Sequence, residues 1–281
     1  MSPLLLASVL ILLSAFLHVI ISALMKGASD KLVYRGLLGF TCASIAAPFA
    51  FIVDMPTSQA WVWLAMGAAV HFLYQLSQVA SYNRGDLSLV YPIMRGIAPA
   101  LATLFAFLIL QETQSTLTLA GLSIVVISLI GIGWTGQSIS ALQKSALGFA
   151  VFCGVMTALY TVIDAKGIRV SGNRMSYLVW FFIIDGICIT ALIAFKRGRQ
   201  LLALNTQDLK RGGIGGVLSL VSFGTALYAF SIAPIAQLAA LRETSILFGA
   251  ILAKIWLKEA FGNQRVLFSA LLVTGLILMQ F

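Results

Sequence analysis

Two arginines lie in segments that are otherwise almost free of charge. Arg95 is followed by Glu112, Arg242 is followed by Glu259 at the same distance of 17 residues, and the two pairs are 147 residues apart. A guanidinium offers its N–H donors in a planar fork, which suits bidentate capture of a carboxylate or a phosphonate. We therefore interpret Arg95 and Arg242 as candidate binders of a small anion, with structural ion pairs as the alternative.

Two acids in the apolar segments are the available partners for such ion pairs. Asp185 and Glu243 are both surrounded by apolar sequence, and Glu243 directly follows Arg242. Neighbouring residues on a helix point about 100° apart, so Arg242 and Glu243 need not pair with each other. Because carboxylates inside a membrane often serve in proton relays, Asp185 and Glu243 are also candidates for carrying or gating a coupling proton.

Two prolines, Pro92 and Pro99, flank Arg95. Proline lacks the N–H that a helix requires, so Pro99 frees the backbone carbonyl of Arg95 from its helical hydrogen bond. Irregular backbone at membrane depth is tolerated where it lines a cavity, and we expect the Arg95 side chain to lie there too. An alanine and an isoleucine stand at the equivalent positions near Arg242, so the sequence leaves open whether the backbone is irregular there.

A stripe of polar residues recurs at helical spacing in one apolar segment: His71, Tyr74, Gln75 and Gln78. Such a stripe faces protein or water, so it predicts either a cavity lining that binds substrate or hydrogen bonds between helices. His71 and His18 are the two histidines of the chain, and imidazole titrates near neutral pH. Each histidine is therefore a candidate for substrate binding or proton transfer, with hydrogen-bonded packing as the alternative. Further candidate substrate-binding residues are Tyr91, Tyr228 and Gln237.

The composition indicates which elements must position these residues. The chain has 281 residues, of which 60% are hydrophobic and 10% are charged, against about 25% charged in soluble domains. A chain with lipid as its solvent forms helices or a closed barrel, and near-continuous apolar runs favour helices. We predict an all-α integral membrane protein with ten transmembrane helices. The predicted spans are 4–25, 34–53, 60–82, 87–110, 116–135, 145–163, 175–195, 212–230, 235–257 and 264–280, with Pro234 separating the eighth from the ninth.

The basic residues predict an orientation rather than a nucleic-acid partner. The formal net charge is +9, and twelve basic residues, Arg35 among them, fall in odd-numbered loops against three in even-numbered loops. The positive-inside rule then places the odd-numbered loops in the cytoplasm and both termini on the periplasmic side of a bacterial-type inner membrane. The cysteines show no metal-ligand spacing, and we expect neither a metal nor another cofactor.

An internal repeat organises the chain. The stretch RGIAPALATLFAFLILQE aligns with RETSILFGAILAKIWLKE 147 residues later, and each half holds five predicted spans. An odd number of spans inverts the second half, so we predict two inverted five-helix repeats, residues 1–138 and 144–281. Inverted repeats are typical of secondary transporters whose substrate site lies near the midplane. We expect a cavity lined by the third, fourth, eighth and ninth spans, with contributions from the first and sixth.

The stretch GDLSLVYPIMRGIAPALATLFAFLILQE resembles the fourth-span signature of the EamA branch of the drug/metabolite transporter (DMT) superfamily. The resemblance implies a ten-helix transporter, in which Pro92, Pro99, Glu112 and Glu259 are structural markers of the two repeats. The shorter stretch YNRGDLSLVYPIMRG is similar to a subgroup associated with phosphonate-utilisation genes. That similarity implies an organophosphonate as the substrate.

These patterns together predict a secondary transporter, or permease, for a small polar and anionic metabolite such as an organophosphonate. An exporter of amino acids, related metabolites or drugs is the alternative. No nucleotide-binding GxxxxGK[ST] motif, HExxH motif or GxSxG elbow occurs, which argues against direct use of ATP and against an intramembrane enzyme. The expected partners are a small-molecule substrate, the lipid bilayer and a candidate coupling proton, whereas the oligomeric state cannot be predicted.

Overall fold

The computed structural model describes residues 2–111, 115–133, 140–198, 201, 204–242, 244–246, 248–249, 252 and 263–279. Within these ranges the chain forms ten α-helices and one 3-10 helix, and no strand. Helices occur at all ten predicted places, and the part of the ninth span after Arg242 lies mostly outside the described residues. The helices are α1 (Pro3–Lys26), α2 (Lys31–Ala46), the 3-10 helix (Ala47–Phe51), α3 (Ser58–Arg84), α4 (Leu87–Leu110), α5 (Thr116–Gly133), α6 (Ala141–Val170), α7 (Arg174–Arg197), α8 (Thr206–Ile232), α9 (Ile235–Arg242) and α10 (Asn263–Leu278).

Among the described residues, five helices are long and apolar enough to cross a membrane, judged by length and composition. They are α1, α2 with its 3-10 extension, α6, α7 and α8. Helix α3 has 27 residues but carries the polar stripe, which lowers its hydropathy. The polar side of α3 must therefore be buried against protein, and the contacts of the cavity described below account for it.

Two helices begin earlier in the chain than predicted. A polar N-cap residue precedes each of these two helix starts. The Asp30 side chain accepts hydrogen bonds from the N–H groups of Leu32 and Val33, so α2 begins at Lys31 instead of residue 34. Ser140 forms a capping box, which begins α6 at Ala141, and α6 continues to Val170 instead of ending at residue 163. Both changes bring ionisable residues inside helices that the sequence analysis had assigned to loops or left unassigned.

The irregular backbone lies beside the second arginine rather than the first. Helix α4 is continuous over residues 87–110 although both prolines lie within it, whereas α9 ends at Arg242 and Thr244 lies in a turn. The N–H and the hydroxyl of Thr244 both donate to the Leu241 carbonyl, at 3.2 and 2.8 Å. Local hydrogen bonds of a threonine compete with those of a regular helix. Thr244 therefore accounts for the irregular turn after Arg242, although no proline stands at the positions equivalent to Pro92 and Pro99. The break predicted before Pro234 is confirmed, because Ala233 is extended between α8 and α9.

The helix packing pairs elements of the two halves. The most extensive contacts join α3 to α6, α4 to α6, α1 to α8, α2 to α7 and α5 to α10. In a five-plus-five arrangement, each helix of the first half corresponds to the helix five places later in the chain. The α3–α6 pair then corresponds to the α8–α1 pair, and the α2–α7 and α5–α10 pairs each correspond to themselves. Helices α2 and α7 cross at Gly39 and Gly186, where an added Cβ on Gly39 would lie 3.3 Å from the Gly186 Cα. These two glycines are 147 residues apart, as Arg95 and Arg242 are.

Glycines of the segment 212–216 allow α8 to pack closely on α2. A Cβ on Gly216 would lie 2.9 Å from the Leu38 carbonyl oxygen, a backbone atom that cannot rotate away, whereas a Cβ on Gly213 would meet nothing within 4 Å. We expect Gly216→Ala to lower the free energy of unfolding by about 1–3 kcal/mol through overpacking. Gly213→Ala is the matched control and should leave the stability unchanged or raise it. Thermal unfolding of the detergent-solubilised variants measures both, and equal melting temperatures would contradict the prediction.

Candidate functional site

A polar cavity lies between the helices. Its volume, measured to the centre of a water-sized sphere, is about 40 Å³, enough for about three water molecules. The helices must therefore move apart before a metabolite can occupy it. The side chains that line it are His18, Ile21, Arg35, Leu38, Cys42, His71, Tyr74, Gln78, Tyr160, Phe181, Phe182, Asp185, Ser219, Ser222, Phe223 and Arg242.

The helices around this cavity differ from those predicted. The lining residues belong to α1, α2, α3, α6, α7, α8 and α9. None of the described side chains of α4 contributes to it, contrary to expectation, while α2 and α7 both do. Helix α4 packs against α5 and α6, whereas the crossing of α2 with α7 brings their polar residues towards the centre.

Arg242 projects into the cavity from the last position of α9. Its residue exposure is 3%, and its guanidinium carbon lies 5.9 Å from the centre of the Phe223 ring. Its Nε is buried and has no hydrogen-bond partner among the described residues. Leaving a buried donor of a charged group without a partner costs more than leaving a neutral one. The Nε–H of Arg242 can therefore donate to a further acceptor, which no described protein atom supplies.

Arg35 is a second cavity arginine, which the sequence analysis counted with the basic residues of the first loop although it lies just inside the predicted span 34–53. It is 8% exposed, and its Nε donates to Gln75 Oε1 at 3.1 Å. Gln75 Nε2 in turn donates to Asp185 Oδ1 at 2.6 Å, so an amide links the arginine to the acid. The signal that could have found Arg35 is Asp30, because an N-cap there places residue 35 one helical turn inside α2.

Arg95 lies beside the cavity and is held by α9 and its continuation. Its Nη2 donates to the backbone oxygen of Arg242 and its Nε donates to Ser245 Oγ, both at 3.3 Å. The residue is 4% exposed and is not among the lining residues. The geometry places Arg95 behind Arg242 as a group that holds its backbone, and the irregular turn at residue 244 lies where Arg95 binds.

A buried hydrogen-bonded cluster lies at the α3–α6 contact. His71 Nε2 is 2.8 Å from Asp164 Oδ2, and the hydroxyl of Tyr177 donates to Asp164 Oδ1 at 3.1 Å. Asp164 has 0% exposure, and Gly67 leaves it room, since a Cβ there would lie 2.6 Å from Asp164 Oδ1. The sequence analysis missed Asp164 because it ended the sixth span at residue 163. The His71 ring stacks on Tyr160 with centroids 4.0 Å apart.

The remaining predicted residues divide between the cavity and its surroundings. His18, Tyr74 and Gln78 line the cavity, and Gln78 Nε2 donates to the Tyr74 hydroxyl at 2.9 Å. Tyr91 is buried in the apolar core, with its ring 6.4 Å from that of His18. Tyr228 does not line the cavity and instead lies under the guanidinium of Arg174 at 5.9 Å.

Several predictions fall on parts of the chain that the structure does not describe. Glu112, Glu243 and Glu259 lie outside the described residues. The side chains of Pro92, Pro99 and Gln237 also lie outside them, although the backbone of all three is helical. Their predicted roles stay predictions. Among the described residues, no group of three or more His, Cys, Asp or Glu is arranged to hold a metal ion.

Apolar helices of membrane-spanning length around a polar cavity define a multi-span membrane protein. Residues 144–281 match the model of the EamA-like transporter family. A solved crystal structure aligns with 99% of this chain and 96% of its own, with a TM-score of 0.71 and 16% identity, which shows a shared fold. No curated protein matches the sequence significantly.

The chain belongs to the EamA-like transporter family, within the DMT superfamily. The predicted all-α membrane fold is confirmed, and members of this family are membrane transporters of small molecules rather than enzymes. The chain is accordingly a multi-pass protein of a lipid bilayer with a small-molecule substrate. None of the comparisons names a phosphonate protein, so the resemblance to the phosphonate-associated subgroup stays a prediction.

Proposed function

We propose that the protein is a secondary transporter for a small polar anion, with an organophosphonate as the first substrate to test. One observation carries the proposal. The guanidiniums of Arg35 and Arg242 line the same cavity, and in the described part of the chain no carboxylate lies within ion-pair distance of either. A buried charge without a partner is costly, so a bound anion would supply the missing compensation.

Arg242 is the stronger of the two anchors for that anion. Arg35 already donates to Gln75, which connects it to Asp185, whereas Arg242 Nε has no acceptor in the described chain. A phosphonate or carboxylate can accept two parallel N–H bonds from one guanidinium. Support for a phosphonate in particular comes from the resemblance of residues 82–96 to the phosphonate-associated subgroup.

An amino-acid exporter is the second candidate, and the position of Asp185 favours it. Asp185 lines the cavity together with Arg242, so the site offers an acceptor for an ammonium group as well as donors for a carboxylate. The aromatic rings of Tyr74, Tyr160 and Phe223 line the same space. A zwitterion would use both charges, and an aminophosphonate satisfies the same requirement.

Counterflow in proteoliposomes tests the proposal. Purified protein is reconstituted, the vesicles are loaded with unlabelled solute, and the uptake of labelled 2-aminoethylphosphonate is compared with that of neutral and aromatic amino acids. Faster counterflow of the phosphonate supports the anion transporter. Counterflow of the amino acids alone would favour the second candidate, and no flux above protein-free vesicles would contradict both.

We infer further that residues 1–138 and 144–281 are inverted repeats around this site. Two basic residues support the equivalence, because each binds carbonyls at the C-terminal end of the third helix of its half. Lys26 Nζ donates to the carbonyls of Tyr82 and Gly85 at 3.2 and 2.7 Å. Arg169 donates to the carbonyls of Phe230 and Ala233, both at 3.3 Å. The family match also begins at residue 144.

Alternating access would follow from the two halves rocking around the fixed cavity. We propose a bacterial-type inner membrane, with loop 1 in the cytoplasm and both termini in the periplasm. Single cysteines at Ser29 and Arg174, in a background without Cys42, Cys153 and Cys188, test this arrangement. A membrane-impermeant maleimide added to intact cells should label the cysteine at 174 and spare the one at 29. Labelling of both, or of neither, would contradict the inverted arrangement.

A further inference from the structure

We propose that His71 and Asp164 form the proton-coupling site of this transporter. The inference rests on the proposed function, since coupling requires a transported anion. It assigns the coupling proton to His71 together with Asp164, on α3 and α6, rather than to Asp185, Glu243 or His18, which the sequence also suggested. Three features carry it: the geometry of the pair, its position at the cavity wall, and the charges that face it.

The geometry leaves one nitrogen of His71 available for a proton. With Asp164 ionised, the short contact between His71 Nε2 and Asp164 Oδ2 requires the hydrogen on Nε2. The other carboxylate oxygen accepts from Tyr177, and Asp164 has no exposure to solvent. Asp164 therefore holds the tautomer and the orientation of the ring. The Nδ1 of His71 makes no hydrogen bond within the described chain, and its lone pair is the basic site that remains.

The position of His71 connects the pair to the substrate site. His71 lines the cavity, whereas Asp164 lies behind it and does not. The rings of Tyr160, Phe181 and Phe223 surround the imidazole, with centroids 4.0, 4.9 and 5.1 Å from it. Aromatic walls keep the local dielectric low, so a charge that arrives in the cavity acts strongly on the charge of His71.

The charged and titratable groups around His71 come from six helices. Asp164 and Tyr160 belong to α6, Asp185 and Tyr177 to α7, Arg35 and Cys42 to α2, Arg242 to α9, His18 to α1 and Tyr74 to α3 itself. Helix α8 presents only Ser219, Ser222 and Phe223 to the cavity, and Arg95 of α4 lies behind Arg242. The cavity beside His71 thus holds two positive guanidiniums, those of Arg35 and Arg242, and the carboxyl group of Asp185, while Asp164 is hydrogen-bonded to the imidazole itself.

An anion bound at Arg242 changes this balance. Its negative charge compensates the arginines that oppose a proton on His71, so substrate binding promotes protonation. A hydronium ion from the solution on the acidic side gives its proton to the Nδ1 lone pair and becomes water, and the resulting imidazolium keeps its Nε2–H bond to Asp164. On release the same proton returns to water, and no other bond forms or breaks. Because binding linkage is reciprocal, the proton also promotes substrate binding, which is the behaviour of a symporter.

Accumulation driven by an imposed pH gradient tests the assignment. Proteoliposomes containing wild type, His71→Gln or Asp54→Asn are given labelled 2-aminoethylphosphonate, or whichever amino acid shows counterflow, with and without a gradient of one pH unit. For symport of one proton with a monoanion, that gradient sustains about a tenfold concentration ratio, since one pH unit equals a tenfold difference in proton activity. Counterflow without a gradient is measured in parallel.

We expect wild type and Asp54→Asn to accumulate substrate with the gradient. His71→Gln should lose this accumulation while still showing counterflow, although more slowly. Asp54 is the control because its side chain is exposed and does not line the cavity, so the substitution removes a titratable group without touching the site. Gradient-driven accumulation by His71→Gln, or none by wild type that does show counterflow, would overturn the coupling site. Absence of counterflow in wild type would instead contradict the proposed function itself.

Discussion

Arg242→Ala should raise the KM for anion uptake about 100-fold, the largest effect that we expect on transport. Truncating one partner of a buried, hydrogen-bonded charge pair costs about 2–5 kcal/mol, and about 2.8 kcal/mol corresponds to 100-fold. The substitution keeps the backbone oxygen of residue 242, which accepts from Arg95. The loss would therefore report on the side chain in the cavity rather than on the support of α9. Initial rates of uptake in proteoliposomes over a range of substrate concentrations measure it.

Two further variants separate binding from general charge effects. Arg84 is the matched control, because its guanidinium also lies over a phenylalanine ring, Phe149 at 4.8 Å, but donates to the Ala80 carbonyl of its own helix. Arg84→Ala should leave the KM unchanged. Arg242→Lys should recover only part of the affinity, since an ammonium cannot make the bidentate contact. A KM within threefold of wild type for Arg242→Ala would show that this arginine does not bind the substrate.

Asp164→Ala should cause the largest loss of stability among substitutions of the polar residues. It leaves the Nε2–H of His71 and the hydroxyl of Tyr177 without their acceptor in a region that solvent does not reach. Each orphaned buried donor costs about 1–3 kcal/mol, so we expect a loss of about 3 kcal/mol. At about 2–4 °C per kcal/mol, the melting temperature in detergent should fall by about 6–12 °C.

Two comparisons give this prediction its control. Tyr177→Phe removes one of the two hydrogen bonds and should lower the melting temperature by less than Asp164→Ala. Asp54 is exposed, and only its backbone oxygen accepts a hydrogen bond, from Ser176, so Asp54→Ala should have no effect. A melting temperature of Asp164→Ala equal to that of Asp54→Ala would contradict the structural role of the cluster.

The apolar runs predicted the fold well, because a chain in lipid must satisfy its backbone within each helix. The helix ends were less predictable, since a polar N-cap can extend a helix by several residues into polar sequence. Asp30 did so for α2 and Ser140 for α6. The earlier start of α2 places Arg35 one helical turn inside the helix, whereas Asp164 belongs to the site because α6 ends at Val170 instead of residue 163. The prolines predicted an irregular backbone beside Arg95, but α4 continues through both of them. The irregular turn lies beside Arg242 instead, where Thr244 bonds the Leu241 carbonyl.

The sequence by itself determined ten helical segments, the polar stripe on α3 and the spacing of 17 residues to a glutamate that Arg95 and Arg242 share. Only the tertiary structure decided how these residues meet: Arg242 in the cavity with Arg95 behind it, Arg35 linked to Asp185 through Gln75, and His71 bound to Asp164. The physical reason is that hydrophobic periodicity indicates which face of a helix is turned away from lipid. The hydrogen-bond partner of a polar side chain depends instead on which groups lie within bonding distance. That distance depends on where helices cross, and here the crossings depend on glycines such as Gly39 and Gly186.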